Sequence, residues 1–248
     1  ANNTLIGYLC VLVCGESSNN TVIGNECWSG TECVVLKESS DNNVINNNLR
    51  SDHGDCVWIW VGSNNTITDN RCRSDGSGFC INLLLADDST VVGNNCSGGS
   101  DSIYLGVSSE NRVAGNTCSG NPWSGIWLDK SPNNMVVNNV CSNDTYGIYL
   151  TYSDGAFLSG NMMNGCGMLI EGDVPSHWNT HEIDDSNSAN GHPVYYFKNQ
   201  VGAIVPAGAG QVILANCTDF VIKNQDLCNS TVGVLLGFSS SLYLTNNH

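Results

Sequence analysis

One asparagine returns along the chain at a nearly fixed interval: Asn25, Asn47, Asn70, Asn94, Asn116, Asn139 and Asn161, spaced 22, 23, 24, 22, 23 and 22 residues apart. Each sits in the same phrase: TVIGNEC at 21–27, NVINNNL at 43–49, TITDNRC at 66–72, TVVGNNC at 90–96, RVAGNTC at 112–118 and MVVNNVC at 135–141. Self-similarity at this period marks a solenoid, in which each repeat packs only on its neighbours.

Aligning the repeats on those asparagines sorts the other positions into columns. Three residues earlier stand Val22, Val44, Ile67, Val91, Val113, Val136 and Leu158. Eleven earlier stand Cys14, Leu36, Ile59, Leu83, Leu105, Leu128 and Leu150, and thirteen earlier Leu12, Val34, Val57, Ile81, Ile103, Ile126 and Ile148. Two residues later come Cys27, Leu49, Cys72, Cys96, Cys118, Cys141 and Met163. Positions two apart share one face of a strand, and no stretch repeats apolar residues at a helical period. Each repeat therefore predicts short strands with one face inward, separated by Gly, Asn, Ser and Asp turns. A single coil cannot cover its own inner face. Coils stacked in register about 4.8 Å apart bury a continuous core and pair their backbone groups. Asparagine tolerates unusual dihedrals at a corner, and stacked amides satisfy polar groups that the stacking would bury. The predicted fold is all-β: one β-solenoid domain over residues 1–248, of roughly ten coils of 22–24 residues. Regular coils run over 1–164, an irregular insertion lies at about 165–200, and terminal coils follow over 201–248.

The formal net charge is −15, with only 8 basic residues against 23 acidic ones. Phosphate-backbone binding needs clustered Lys and Arg, so nucleic acid is excluded as a partner; so few cations also argue against an acidic polysaccharide. No apolar run reaches membrane-spanning length. No charged-then-apolar leader precedes Ala1, and the chain reads as a mature or trimmed product.

The 13 cysteines follow the columns. Column neighbours in adjacent coils lie close to disulfide reach, which makes Cys72–Cys96 and Cys118–Cys141 candidate pairs. Cys10 is the column neighbour expected for Cys27, and Cys33, Cys56 and Cys80 form a second column that leaves one thiol over. The alternative is that buried cysteine fills the core as a small hydrophobe. No CxxC occurs and no His flanks a Cys column, so no metal cluster and no cofactor is expected. Sequons at Asn2, Asn19, Asn64, Asn95, Asn143, Asn216 and Asn229 suit an extracellular or cell-surface glycoprotein.

The period fails after Asn161, where HWNTHEIDDSNSANGHPVYYFKNQ (177–200) intervenes, and resumes with GQVILANCTDFVIKN (210–224) and TVGVLLGFSSSLYLTNN (231–247). The phrases NN-x-I-x-GN, GIWL (125–128) and GIYL (147–150) resemble right-handed parallel β-helix repeats of the NosD-like/PbH1 family. The 177–200 segment, followed by VPAGAGQVILANCT, looks like one found in archaeal surface proteins of that group. The resemblance covers nearly the whole chain. It implies a right-handed, three-faced β-helix on the cell exterior and no particular activity.

Lyases and epimerases on this fold need a base and a group that neutralises a carboxylate. Arg50, Arg71 and Arg73 near Asp52, His53, Asp55 and Asp75 are the best catalytic candidates, and they read more simply as a solvated turn with charge pairs. His177 and His181 have metal-like spacing only on a helix, which nothing around them suggests. A copper site would need Met162, Met163, Met168 and Cys166 to converge, but Met163 belongs to the core column. No catalytic or metal residue is therefore assigned.

The position twelve before each asparagine faces out and reads Val13, Val35, Trp58, Asn82, Tyr104, Trp127 and Tyr149, with Trp60 beside Trp58. An exposed aromatic stripe (Trp58, Trp60, Tyr104, Trp127, Tyr149) is costly to leave in water. The 165–200 segment could cover it, or it is a contact surface for protein or a stacking platform for sugars, with protein preferred. The chain begins inside a repeat and stops on a turn, which suggests head-to-tail stacking of uncapped ends into a homo-oligomeric filament. The leading expectation is a non-enzymatic extracellular filament or surface-layer subunit. A carbohydrate-binding or carbohydrate-active β-helix is the alternative, and a periplasmic copper-handling protein the second.

Overall fold

The structure, a computed structural model, describes residues 2–248. The repeated phrase folds as two short strands joined by a sharp corner. In one rung, Thr90–Val92 and Asn95–Gly98 flank Gly93 and Asn94. The residue before each ladder asparagine takes a left-handed conformation: Gly24, Asn46, Asp69, Gly93, Gly115, Asn138 and Gly160 have φ between 52° and 69°. Gly, Asn and Asp tolerate that region best, which explains the recurrent GN, NN and DN dipeptides.

Rungs stack into three sheets, of twelve, eight and eight strands, and a two-stranded ribbon near the C-terminus. Pairing between successive rungs is parallel and in register, as in Cys72↔Cys96, Cys96↔Cys118 and Cys118↔Cys141. The predicted inward columns are the core. Val57, Ile81, Ile103, Ile126 and Ile148 are fully buried, as are Ile59, Leu83, Leu105 and Leu128. The chain completes about eleven turns with almost no helix.

The asparagine ladder lies inside this stack. Each rung repeats one pattern: the backbone N–H and carboxamide Nδ2 of one asparagine both donate to Oδ1 of the next. For Asn70 onto Asn94 these bonds measure 2.9 and 3.0 Å, and for Asn94 onto Asn116 again 2.9 and 3.0 Å. The remaining Nδ2 proton goes to backbone carbonyls, as from Asn94 to Ile67 at 2.9 Å. The ladder extends past the predicted members, to Asn3 at one end and Asn187 at the other. A second ladder, Asn20, Asn42, Asn65, Ser89, Asn111 and Asn134, turns the next corner. The same connection carries a serine column beside it, Ser108, Ser131 and Ser153.

Three expectations change. In the first rung, Val11 pairs with Val34 and Val13 with Leu36, so Val11 and Val13 point inward while Leu12 and Cys14 are exposed. The loop after this strand is one residue longer than its counterparts, and counting back from Asn25 flips the faces. Second, residues 165–189 continue the helix rather than leave it. Met168–Glu171, Glu182–Ile183 and Ser188–Ala189 each add a strand to one of the three sheets. A one-turn helix, Ser176–Asn179, replaces part of one corner. The true break is the turn at Asn190 and Gly191 (φ 54° and 79°). It returns the chain antiparallel to Ser188–Ala189. Beyond it a smaller stack builds its own core from Val205, Val212, Leu214, Cys217, Phe220 and Ile222, with Val194–Lys198, Gln211–Ala215 and Val234–Gly237 in parallel.

Third, all thirteen cysteines are free thiols. Cys27 faces Leu5 and Leu49, not Cys10; Cys10 instead precedes Val11 as Cys33 precedes Val34, and heads the second column. Cys72, Cys96, Cys118 and Cys141 do stack as free thiols, and thiol protons of the second column go to backbone carbonyls, as from Cys33 to Arg50 at 3.2 Å and Cys80 to Ser97 at 3.4 Å. Burial pushes the Cys27 thiol up to about 12 and Cys56 well above its ordinary value. Both remain protonated and inert at neutral pH.

Replacing Asn94 by Leu removes the acceptor for the Asn70 N–H and amide and the donor to Ile67. Each buried group left unpaired costs about 1–3 kcal/mol. Asn48, beside Asn47 but exposed, serves as the control: Asn48→Leu should shift stability by less than about 0.5 kcal/mol. Urea unfolding of the two variants checks this, and equal losses would show that the ladder contributes nothing special.

Candidate functional site

The eight-stranded sheet that carries the predicted stripe has two outward columns. One reads Leu12, Val35, Trp58, Asn82, Tyr104, Trp127, Tyr149 and Leu169; the other includes Trp60, Leu84, Gly106, Asp129, Thr151 and Glu171. Aromatic side chains in the first column reach diagonally to the second column of the next rung. Trp127 Nε1 donates to Thr151 Oγ1 at 2.8 Å and Tyr149 hydroxyl to Glu171 Oε2 at 2.5 Å. Tyr104 hydroxyl approaches Asp129 Oδ2 at 3.5 Å. Tyr104 lies across Gly106, where a Cβ would come within 2.5–2.8 Å of its ring and hydroxyl. These tethers fix ring orientation, which isolated surface aromatics lack.

The stripe is neither uniform nor complete as read from the sequence. Tyr149 is only 7% exposed, because Trp123, Tyr146 and Trp127 pack around it at centroid distances of 6.5, 5.0 and 5.6 Å. Trp58 and Trp60 stack on each other at 5.6 Å, and Lys37 Nζ sits 4.4 Å above the Trp60 ring. Three aromatics absent from the predicted set come from the corner that precedes the sheet: Phe79, Trp123 and Tyr146. Phe79 stacks on Tyr104 at 4.7 Å, and Trp123 meets Tyr146 edge-on at 5.4 Å. Together Phe79, Ser100, Asp101, Pro122, Trp123 and Trp127 line a shallow hollow of about 360 Å³. Their only sequence signal is an aromatic two or three residues before the inward isoleucine (Ile81, Ile126, Ile148), which appears in some rungs and not in others.

Buried carboxylates hold this corner in place. Asp55 accepts from the Phe79 N–H at 2.7 Å and from Asn82 Nδ2 at 2.8 Å. Asp101 accepts from the Ser124 N–H at 2.9 Å, next to Trp123. Asp144 Oδ1 accepts from the Asn121 N–H and Nδ2 at 2.8 and 2.7 Å, while its Oδ2 has no partner among the described residues. Burial raises all three: Asp55 and Asp144 reach about 6, and Asp101 moves in the same direction. Asp55 and Asp101 spend their carboxylates on these donors and so position the aromatic residues.

The other candidates fall elsewhere. Arg50 and Arg73 pair with Asp75 at 2.7 and 2.6 Å on a different, exposed face, where the guanidiniums hold its carboxyl below the usual range. Arg71 lines the hollow beside them with Glu26 and Trp28. Asp55 faces the aromatic corner and does not join that group. His181 is buried, accepts from the Ala156 N–H and contacts the His177 carbonyl at 2.9 Å, so burial lowers its pKa and it bridges two rungs. Met163, Cys166 and Met168 are core residues, whereas Met162 is exposed. The seven sequon asparagines (Asn2, Asn19, Asn64, Asn95, Asn143, Asn216 and Asn229) are all exposed, in contrast with the buried ladder. Among the described residues, no helix is long and apolar enough to cross a membrane.

The sequence matches the family described as right handed beta helix region over residues 9–166. No curated protein sequence matches the chain. Solved structures share the fold at low identity. The periplasmic alginate epimerase AlgG is 18% identical over 90% of this chain, with a TM-score of 0.53. The chain spans about half of that enzyme's length, 51%. An alginate lyase from Paenibacillus sp. str. FPU-7 is 11% identical, covering 97% of this chain and 99% of its own, at a TM-score of 0.54. PfbA, a surface adhesin of Streptococcus pneumoniae, is 8% identical over 99% of this chain and 75% of its own, also at 0.54.

The raised carboxylates give stability a definite pH dependence. A carboxyl whose pKa rises from 3.8 unfolded to about 6 folded favours the protonated form in the native state. Its contribution is therefore fully present below about pH 4 and is lost as pH climbs through 6. Asp144→Asn keeps an acceptor for Asn121 without the charge. Its melting temperature should exceed that of the parent at pH 7 and converge with it near pH 4; identical offsets at both pH values would refute the assignment.

Proposed function

The chain belongs to the right-handed β-helix family, and from that premise we propose that it is an extracellular carbohydrate-binding protein that grips a glycan chain along its aromatic sheet. The observation that carries this reading is the hollow formed by Phe79, Trp123 and Trp127, with tethered rings running along the stacking axis. Apolar sugar faces stack on fixed aromatic rings, while hydroxyls need polar groups at the edges. Ser100 and Asp129 supply those edges. Trp58 to Tyr149 spans four rung steps, about 19 Å at 4.8 Å each, which suits an extended chain rather than a compact molecule.

Charge selects the glycan. Carboxylates of Asp101, Asp129 and Glu171 lie on or beside this face, and the whole chain carries −15. A polyuronate such as alginate, named for two of the structural neighbours, would meet repulsion here without a compensating arginine. The fitting ligand is uncharged. The committed carboxylates favour binding over bond cleavage. The seven exposed sequons and the adhesin-like architecture support a cell-surface setting. The filament expected from the sequence would use the terminal rungs instead. It is a separate proposal, which monodisperse short rods in negative-stain micrographs at high concentration would rule out.

Affinity electrophoresis through gels containing a neutral glucan, mannan or xylan, or alginate, tests the sugar reading. Retardation by at least one neutral polymer and none by alginate is expected. Trp123→Ala and Trp127→Ala should each weaken retardation at least tenfold, about 1.4 kcal/mol, while keeping the parent's far-ultraviolet circular dichroism. Preferential retardation by alginate, or equal retardation of both variants and the parent, would overturn it.

A further inference from the structure

At the far end from the aromatic hollow, the last rung brings three different metal-ligating side chains to one point. The His248 N–H donates to the Gln225 carbonyl at 2.9 Å, and the Leu227 N–H to the His248 carbonyl at 2.8 Å. These two bonds set His248 opposite Asp226 in parallel register. Asp226 and Cys228, two apart, share a face, so all three side chains project together. Cys228 Sγ lies 3.1 Å from His248 Nδ1, and His248 Nδ1 lies 3.7 Å from Asp226 Oδ1. All three ligand atoms lie within 4.8 Å of one another. Asp226 and Cys228 border a hollow of about 400 Å³ that Asn190 and His192 also line, and Asn190 Nδ2 reaches the Cys228 carbonyl at 3.4 Å.

We propose that Asp226, Cys228 and His248 form a binding site for a divalent transition-metal ion of the zinc class. Donor atoms on one tetrahedral zinc stand roughly 3.3–3.6 Å apart, given bond lengths of about 2.0–2.3 Å. The Cys228–His248 and His248–Asp226 spacings need adjustments of only a few tenths of an ångström. A thiolate and an imidazole select against magnesium and calcium, which require oxygen donors and higher coordination. On binding, the Cys228 thiol gives its proton to solvent and the sulfur lone pair forms the metal bond; no electrons change hands. Three protein ligands leave the fourth position for water or for a group entering the hollow. The trio was invisible to sequence reasoning because the cysteine and histidine are 20 residues apart and meet only through rung register. It is independent of the sugar-binding surface.

Cobalt(II) titration of the reduced full chain, with a non-thiol reductant, reads the site directly. The expected result is one equivalent of Co²⁺ with a thiolate-to-metal charge-transfer band and visible tetrahedral transitions, both abolished by Zn²⁺. Cys228→Ser should remove the charge-transfer band, and His248→Ala should weaken Co²⁺ at least tenfold. Cys14→Ser, at another exposed cysteine, should leave the titration unchanged. Absence of the band in the parent, or its persistence in Cys228→Ser, would overturn the proposal.

Discussion

Parallel, in-register stacking of near-identical rungs is the constraint on which everything else rests. It places like on like, so a residue type that works in one rung works in all of them only if it satisfies itself. Branched aliphatics do so by packing. Asparagine does so by hydrogen bonding: its carboxamide offers an acceptor to the rung on one side and donors to the other. Seven predicted ladder members meet this condition, and Asn3 and Asn187 extend it. A buried corner is otherwise a liability, because it turns backbone polar groups away from their sheet partners. The ladder turns that liability into a continuous column of bonds, and a second column of Asn and Ser does the same at the next corner.

The same stacking makes the outer faces into rows. A side chain that points outward has a neighbour about 4.8 Å away on each side, so aromatics on successive rungs touch whether or not they bind anything. What distinguishes this sheet is that the rings are tied. The Trp127 indole and the Tyr149 phenol spend their polar atoms on Thr151 and Glu171, and Asp55 and Asp101 fix the neighbouring corner. Rigid rings lose little entropy when a ligand lands on them. Charged groups that would be expensive to bury are tolerated because they shape that surface, and their raised pKa values show the cost.

Much of the fold was legible because the stacking constraint writes itself into the sequence. The columns through Val44, Ile67 and Val91, and through Cys72, Cys96 and Cys118, are direct consequences of register. The misreadings have equally physical origins. Leu12 and Cys14 were placed inside because a single extra residue in the following loop reverses strand faces. The stretch around His177 lost its repeat signal, although it forms a rung, because its helical turn interrupts the spacing. Cysteine columns suggested disulfides, yet column position alone is equally served by a thiol that fills space and donates to a carbonyl. The Asn42, Asn65 and Ser89 column was overlooked because serine substitutes for asparagine within it.

Period, inward columns and solenoid class follow from the amino-acid order alone, since each depends on residues that recur at one spacing. The aromatic hollow and the Asp226, Cys228 and His248 trio do not recur. Phe79 and Trp123 converge because buried carboxylates hold the backbone at them, Asp55 at Phe79 and Asp101 beside Trp123, and Cys228 meets His248 because one rung lies on the next. Such sites combine residues from different rungs at positions the repeat leaves free, so only the register of the folded chain brings them together.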